Sequence, residues 1–297
     1  MGQQTEEESV PAVPQTIVVP VSSTFNLGLR SNDDYVPDTI LVARDDPFFT
    51  VHFDMLLAAS DNEFGGLFTR DVEPSGYEDD DAPSFILPEP AEVLNVVLHT
   101  IYGFSCSSYD PTLECLVAAV AALKKYGICL QTHLSQGTPL YNVLLNHVPL
   151  RAMEIYAIAG ENNLEDLARI TSSYTLRYNL GLVPGDLASR IGLKYLHKLY
   201  QLHRMRMDTL KEILDVKLYP HVAKPYCSVQ QRVITSTAFT MTGIQIYYHA
   251  TPALPGSSIE TVINELVESV DCPDCKETIH TRKREIIQEW VLLKRTI

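Results

Sequence analysis

Two cysteines separated by two residues, Cys272 and Cys275, are the strongest candidates for chemistry in this chain of 297 residues. A C-x-x-C pair supplies half of the four N or S ligands that a tetrahedral zinc ion requires. Cys227, His221 and His280 are the available partners, and the candidate metal set is Cys227, Cys272, Cys275 and His280. Three interpretations of the pair stay open: reduced thiols at a turn, a structural zinc site, and redox chemistry. No other cofactor is expected.

A second group, His52, Asp54 and Ser60, could suggest a hydrolase. The sequence contains no G-x-S-x-G elbow, no P-loop and no dinucleotide fingerprint. The glycines at 65 and 66 lie within a helical pattern and lack the strand and helix that a phosphate-binding loop needs around it. We therefore expect a protein that is not an enzyme. A hydrolase or redox enzyme that uses Cys272 and Cys275 is the remote alternative.

The composition excludes several classes of partner. Acidic residues outnumber basic ones by 37 to 23, for a formal net charge of −14, whereas nucleic-acid binding needs clustered Lys and Arg. The uncharged run 233–259 contains two prolines and two glycines, which disfavours a membrane span. Only six cysteines are present, and the N-terminus lacks the basic and apolar regions of a secretory signal. We expect an intracellular protein, cytoplasmic or nuclear, that binds neither nucleic acid nor membrane.

The elements that would position these residues begin after a polar, proline-spaced tail at 1–33, whose run 17–21 is strand-like. Three further β-forming runs predict a small sheet with an initial hairpin, at 40–42, 48–53 and 85–88. Phe64, Leu67 and Phe68 have the spacing of one helix face. The run 73–81 between them and the third strand reads as an acidic, solvated loop.

Helical patterns dominate the rest of the chain. Asp110 and Gly127 are the predicted caps of one helix, Pro149 is the predicted start of another, and a bend is expected at Gly192. The run 219–255 reads as irregular or β-like, and later helices are expected from a capping box at Ser257 and Glu260 and over 281–294. The basic runs 204–206 and 282–284 read as solvated helix faces, the second with a weak likeness to a nuclear-import signal.

Short motifs follow one another along the stretch 38–126, namely D-T-I-L-V, T-V-H, L…S…F…L-F, F-I-L-P, I-Y-G and L-K-K-Y. In this order they resemble the motifs of a BTB/POZ domain. The matching positions are Asp38, His52, Leu56, Ser60, Phe64, Phe68, Tyr102 and Tyr126. The pair of helical patterns over 150–178 resembles the helical extension that follows many BTB domains. The C-terminal part, with its C-P-D-C run, resembles the tail of BTB proteins that are abundant in mushroom-forming fungi.

This resemblance implies an α+β fold, in which a small three-stranded BTB/POZ-like sheet flanked by helices is followed by a mainly helical extension. The expected organisation is a weakly ordered tail at 1–33, the BTB/POZ-like domain at 34–146, the helical extension at 147–215 and a C-terminal region with the Cys pair at 216–297. The implied function of such a chain is non-enzymatic protein–protein interaction, as a scaffold or adaptor.

More specific roles follow from the same resemblance. The helical extension suits a substrate adaptor of a cullin-type ubiquitin ligase, and a transcription- or chromatin-associated partner protein is the alternative. Expected partners are other proteins, among them a cullin scaffold or a second copy bound through the BTB-like domain. Apolar residues near the third strand are the candidate contact face: Val93, Val97, Phe104 and Tyr109.

Overall fold

The computed structural model describes residues 21–29, 35–68, 82–218 and 221–297. The fold is mixed α+β, with a small three-stranded sheet and eleven helices within those residues. It divides into two units, Met1–His133 and Leu134–Ile297. This division precedes the boundary expected after residue 146, because one helix, Pro139–Glu161, runs through that position. The expected tail up to residue 20 and the acidic loop lie outside the described residues.

The sheet of the first unit consists of β1 (Thr39–Val42), β2 (Phe48–Val51) and β3 (Ser84–Ile86), in the order β2-β1-β3. β1 pairs with β2 as an antiparallel hairpin and with β3 in parallel. Leu41 and Val51 are fully buried, so one side of the hairpin faces the core. The predicted hairpin and third strand are therefore confirmed. Val21 adds a single parallel bridge to Phe48 at the other edge of β2.

The described part of this unit contains five helices: α1 (Phe53–Ala59), α2 (Glu63–Gly66), α3 (Ala91–Ile101), α4 (Leu113–Lys125) and α5 (Leu130–His133). α3 packs against α4. The start of α4 differs from the predicted cap, because Thr112 Oγ1 accepts from the backbone N–H of Cys115 at 3.2 Å. Asp110 instead has a left-handed backbone with φ of 45°. Gly127 follows the end of α4 with φ of 70°, as the sequence predicts.

The prediction of one helix face for Phe64, Leu67 and Phe68 is wrong. Phe64 and Gly65 have left-handed backbones, with φ of 53° and 73°, so α2 is not a regular helical turn. Phe64 and Phe68 nevertheless meet, with their rings stacked 5.1 Å apart. The i, i+4 spacing brings the rings together through a tight turn rather than a helix.

The described residues of the second unit form helices and connecting loops, with a single antiparallel bridge between Lys224 and Cys227. Its helices are α6 (Pro139–Glu161), α7 (Glu165–Thr175), α8 (Gly185–Leu214), α9 (Val229–His249), α10 (Gly256–Glu268) and α11 (Pro273–Leu292). α6 packs against α7 and α8, and α8 to α11 enclose an apolar core that includes Phe239, Ile263 and Trp290. α8 is bent at Gly192, where φ is 75°, as predicted.

Several predicted boundaries in this unit are wrong. Pro149 lies inside α6, where it has no N–H to donate to the preceding turn, and the backbone departs from helical geometry two residues later, at Arg151. The run expected to be irregular contains α9, which begins with a capping box between Ser228 and Gln231. α10 begins at Gly256, before the expected capping box, and α11 begins eight residues before position 281, at Pro273.

None of the helices in the described part of the chain combines the length and apolar character needed to cross a lipid bilayer.

Candidate functional site

The C-x-x-C pair lies at the start of α11. Cys272 is the N-cap residue of that helix, and Cys275 lies in its first turn. Cys227 and His221 come from the segment between α8 and α9. That segment turns back on itself, because the backbone N–H of Cys227 donates to the carbonyl of Lys224 at 3.0 Å. The turn brings the third thiol and the imidazole to the beginning of α11.

Four ligand atoms converge there. The three thiol sulfurs and one ring nitrogen of His221 all lie within 4.8 Å of one another. His221 Nε2 lies 3.3 Å from Cys272 Sγ and 3.4 Å from Cys275 Sγ, and the sulfurs of Cys227 and Cys275 are 3.8 Å apart. All three cysteines are buried and none forms a disulfide. The arrangement is a compact S₃N cluster that could hold a metal ion.

The imidazole of His221 is held in one orientation. Its Nδ1 lies 2.7 Å from the backbone oxygen of Val222. Because a carbonyl oxygen can only accept, Nδ1 carries the proton, and the lone pair of Nε2 points to the sulfurs. A second hydrogen bond fixes the loop backbone, since Arg232 Nη1 donates to the carbonyl of His221 at 2.9 Å. Backbone acceptors of this kind commonly orient histidines that bind metals.

Asp274, between the two cysteines, ties the same turn to α11. Its Oδ2 accepts from Lys224 Nζ at 2.5 Å and from the Tyr226 hydroxyl at 2.6 Å. The carboxylate therefore bonds two residues of the turn that carries Cys227. These contacts involve no metal, so the polypeptide itself contributes to bringing the four ligands together.

The three thiols differ in acidity. Burial acts to raise the pKa of Cys272, but backbone N–H groups of Cys275 and Asp274 and the thiol of Cys227 bring that pKa down to about 7. Burial, with the neighbouring thiols, raises the pKa of Cys275 to about 12, and burial also raises the pKa of Cys227. Thiolates this close repel one another, and a bound cation would remove that repulsion.

His280 does not join this cluster, which corrects the candidate metal set. It lies five residues after Cys275 on α11, a rotation of about 140° around a regular helix, so its side chain points to a different side. There it lines an open cleft with Glu260, Lys283 and Arg284. The candidate metal set contained His280, whereas the structure places His221 in the cluster. The one sequence signal for His221 is its position in a short loop before Cys227, because a loop can fold back towards the other ligands whereas a helix cannot.

The motif residues of the BTB-like stretch form two local clusters. In the first, the backbone N–H of His52 donates to the Tyr102 hydroxyl at 2.9 Å. The same hydroxyl donates to His52 Nδ1 at 2.9 Å, and His52 Nε2 donates to the carbonyl of Tyr35 at 3.0 Å. Asp38 accepts from the backbone N–H of Phe53 at 2.8 Å. Both ring nitrogens of His52 are thus engaged in holding the turn from β2 into α1.

The second cluster surrounds Ser60. Its hydroxyl donates to the carbonyl of Tyr126 and accepts from the backbone N–H of Phe64, both at 2.7 Å. The rings of Phe64 and Tyr126 stack 4.3 Å apart, and Leu56 is fully buried. The serine therefore holds a turn in place, and no base within the cluster activates it.

Two of the four residues proposed for a contact face are not accessible. Val93 and Val97 are buried, because α3 packs against α4 and α1 and eight of its eleven residues are buried. Phe104 and Tyr109 are 41% and 44% exposed. Both rings pack edge-on against His99, at 6.4 and 5.2 Å between centres. The accessible part of the predicted face is therefore aromatic.

The basic runs are also not simple solvated faces. Arg206 is 1% exposed and Lys283 is 9% exposed. Lys283 Nζ donates to Asn264 and Glu260 at 2.8 and 3.1 Å, and Arg282 Nη2 donates to the carbonyl of Ile213 at 2.9 Å. Periodicity alone did not distinguish these cations from solvated ones. They connect helices of the second unit.

Comparison with protein-family models, with curated proteins and with solved structures finds no match to this chain.

Proposed function

We propose that this protein is a non-enzymatic protein-interaction module, a scaffold or adaptor whose first unit is a BTB/POZ-like domain. The order β2-β1-β3, with its antiparallel and parallel pairings, supports the proposal, as do the contacts among the motif residues. The ring nitrogens of His52 bond the Tyr102 hydroxyl and the Tyr35 carbonyl, and the hydroxyl of Ser60 bonds the backbone of Tyr126, which disfavours the hydrolase alternative. The convergence of Cys272 and Cys275 with two further ligands disfavours a redox role for the pair.

The observation that carries the proposal is the half-exposed aromatic pair Phe104 and Tyr109, which we call the aromatic patch. Both rings contact the imidazole of His99 edge-on. The Tyr109 hydroxyl lies 2.6 Å from Thr24 Oγ1 and 3.1 Å from Ser23 Oγ. An aromatic ring that is already immobilised loses little conformational entropy on binding and buries a large apolar area. Such residues are typical binding hot spots.

Within this class, a substrate adaptor of a cullin-type ubiquitin ligase is the first specific role. The second unit would then select the substrate while the BTB-like unit binds the cullin. A transcription- or chromatin-associated role is the alternative, through protein contacts, because the net charge of −14 opposes direct binding to DNA. Both roles place the protein in the cytoplasm or the nucleus, and both allow self-association through the first unit.

Affinity purification from native cells, followed by mass spectrometry, tests the proposal. We expect Phe104→Asp to lose the specific partners of the wild-type chain, because a carboxylate replaces part of the apolar contact surface. The matched control is Ile86→Asp, at a position 79% exposed on β3 of the same unit, which should retain them. Co-purification of a cullin would identify the adaptor role. Unchanged partners in a folded Phe104→Asp variant would rule out the aromatic patch as the contact face.

A further inference from the structure

We infer that His221, Cys227, Cys272 and Cys275 form a structural zinc site, which fastens the segment between α8 and α9 to the start of α11. In a tetrahedral site, Zn–S bonds of about 2.3 Å and Zn–N bonds of about 2.0–2.1 Å separate two sulfurs by ~3.8 Å and a sulfur from a nitrogen by ~3.6 Å. The observed separations are 3.8 Å for Cys227 Sγ to Cys275 Sγ, and 3.3 and 3.4 Å from His221 Nε2 to two sulfurs. Three of the six pairs of ligand atoms thus already have about the spacing of ligands of one ion, and the other three pairs lie within 4.8 Å.

The kind of ligand selects the kind of metal. Three thiolates and one imidazole favour zinc over the oxygen-seeking Mg²⁺ and Ca²⁺. Four protein ligands also fill a tetrahedral shell, which leaves no position for a water or a substrate, so the site is structural rather than catalytic. The burial of all three cysteines agrees with a closed site.

The surroundings of the cluster also suit a metal. The Nδ1–H of His221 donates to a backbone carbonyl, which leaves Nε2 free to bind. A zinc ion with three thiolates carries a net charge of −1. The guanidinium of Arg232, bonded to the carbonyl of His221, offsets that charge.

The consequence for the fold is a metal-dependent link. The segment that carries His221 and Cys227 joins α8 to α9, and its buried Cys227 belongs to the same apolar core as Cys275 and Trp290. Metal binding to residues distant in sequence adds its free energy to folding. Loss of the ion should therefore lower the stability of the second unit, which contains the single tryptophan of the chain, Trp290.

The test is metal analysis of the full chain purified under reducing conditions without chelator. We expect about one zinc per chain. Replacement by Co²⁺ should give the visible absorption bands of tetrahedral cobalt and a sulfur-to-cobalt charge-transfer band. Addition of EDTA should shift the urea midpoint of Trp290 fluorescence to lower concentration, and added Zn²⁺ should restore it.

Four variants identify the ligands. His221→Ala and Cys275→Ser should lower zinc affinity by at least about 100-fold in chelator competition, because a lost ligand costs more than the ~10–100-fold of a lost outer-shell partner. His221→Cys should retain zinc as a four-cysteine site, which separates ligand loss from misfolding. His280→Ala, at the histidine of α11 outside the cluster, should bind zinc like the wild type.

Protein with reduced thiols that contains no zinc, and that gives no cobalt spectrum, would overturn the proposal. Stoichiometric iron in place of zinc, or zinc lost from His280→Ala but kept in His221→Ala, would overturn it as well. None of these results depends on a binding partner, so the experiments test the zinc site independently of the interaction function.

Discussion

The guanidinium of Arg206 lies over the ring of Trp290, with 4.3 Å between its central carbon and the ring centre. Its Nε donates to the carbonyl of Pro252 at 2.7 Å, and Nη1 donates to the carbonyls of Leu293 and Lys294 at 3.1 and 3.0 Å. One buried cation on α8 thus bonds both the loop before α10 and the segment that follows α11. These contacts hold three separate parts of the second unit together.

Replacing Arg206 should therefore destabilise the second unit. We expect Arg206→Met to lower the free energy of unfolding by about 2–4 kcal/mol, because three carbonyl oxygens lose their donor and the stacking on Trp290 is lost. Arg206→Lys should lose less free energy of unfolding than Arg206→Met but remain less stable than the wild type, since an ammonium group cannot reproduce the planar guanidinium fork. Urea unfolding followed by Trp290 fluorescence measures both. A Met variant at least as stable as the wild type would mean that burying the charge costs more than its contacts return.

The sequence predicted best those elements that have their own local signals. β1 and β2 are rich in β-forming residues and are joined by a short turn, β3 is a short run that ends before Pro88, and the bend of α8 lies at a glycine with positive φ. α9 was missed because its many Thr, Val and Ile residues favour strands. Tertiary packing overrides that preference, since Phe239 and Ile246 enter the core and Gly243 lies against the backbone of Leu214.

The candidate site was predictable only in part for a similar reason. The C-x-x-C pair is a local pattern, but the identity of the fourth ligand depends on how the segment before α9 folds back. The prediction of a contact face is wrong at Val93 and Val97, which are buried. An apolar residue at every fourth position is equally typical of a buried helix face, so the local sequence does not distinguish a core face from a binding face. The exposed aromatic pair Phe104 and Tyr109 follows α3, where no periodicity applies.

Close packing of α6 against α8 predicts a large effect of one methyl group. A Cβ on Gly160 would meet the backbone carbonyl of Ile191, which a rigid helix cannot move aside. We expect Gly160→Ala to destabilise the second unit by about 1–3 kcal/mol, against the intrinsic helix preference for alanine. Gly185→Ala, where nothing lies within 4 Å of the added Cβ, is the control and should be neutral or stabilising. Equal Trp290 unfolding midpoints for the two variants would contradict the close approach.

In the first unit, the hydroxyl of Ser60 predicts a local effect. Ser60→Ala removes the donor to the carbonyl of Tyr126 and the acceptor of the Phe64 N–H, while Phe64 keeps its left-handed backbone. We expect the free energy of unfolding of the first unit to fall by about 2–3 kcal/mol and amide hydrogen exchange over 60–68 to become faster. Ser84→Ala, at an exposed position of β3, should change neither quantity. Unaltered exchange in Ser60→Ala would show that ring stacking alone holds the turn.

The buried imidazole of His203 predicts how stability depends on pH. Burial, with a smaller effect of the neighbouring Arg206 charge, lowers the pKa of His203 to about 4 from 6.5, and no described residue bonds its Nε2. Between these values the unfolded chain takes up a proton that the folded chain does not, so stability is complete above about pH 6.5 and falls as the pH decreases.

From pH 7.5 to pH 5, this single group should lower the free energy of unfolding of the second unit by about 2 kcal/mol. His203→Gln cannot titrate and should lose that part of the slope, whereas His197→Gln, at an exposed position of α8, should keep it. Trp290 fluorescence in urea at a series of pH values gives the comparison. Parallel pH profiles for wild type and His203→Gln would mean that His203 takes up its proton in the folded protein as readily as in the unfolded chain, which its burial beside a cation opposes.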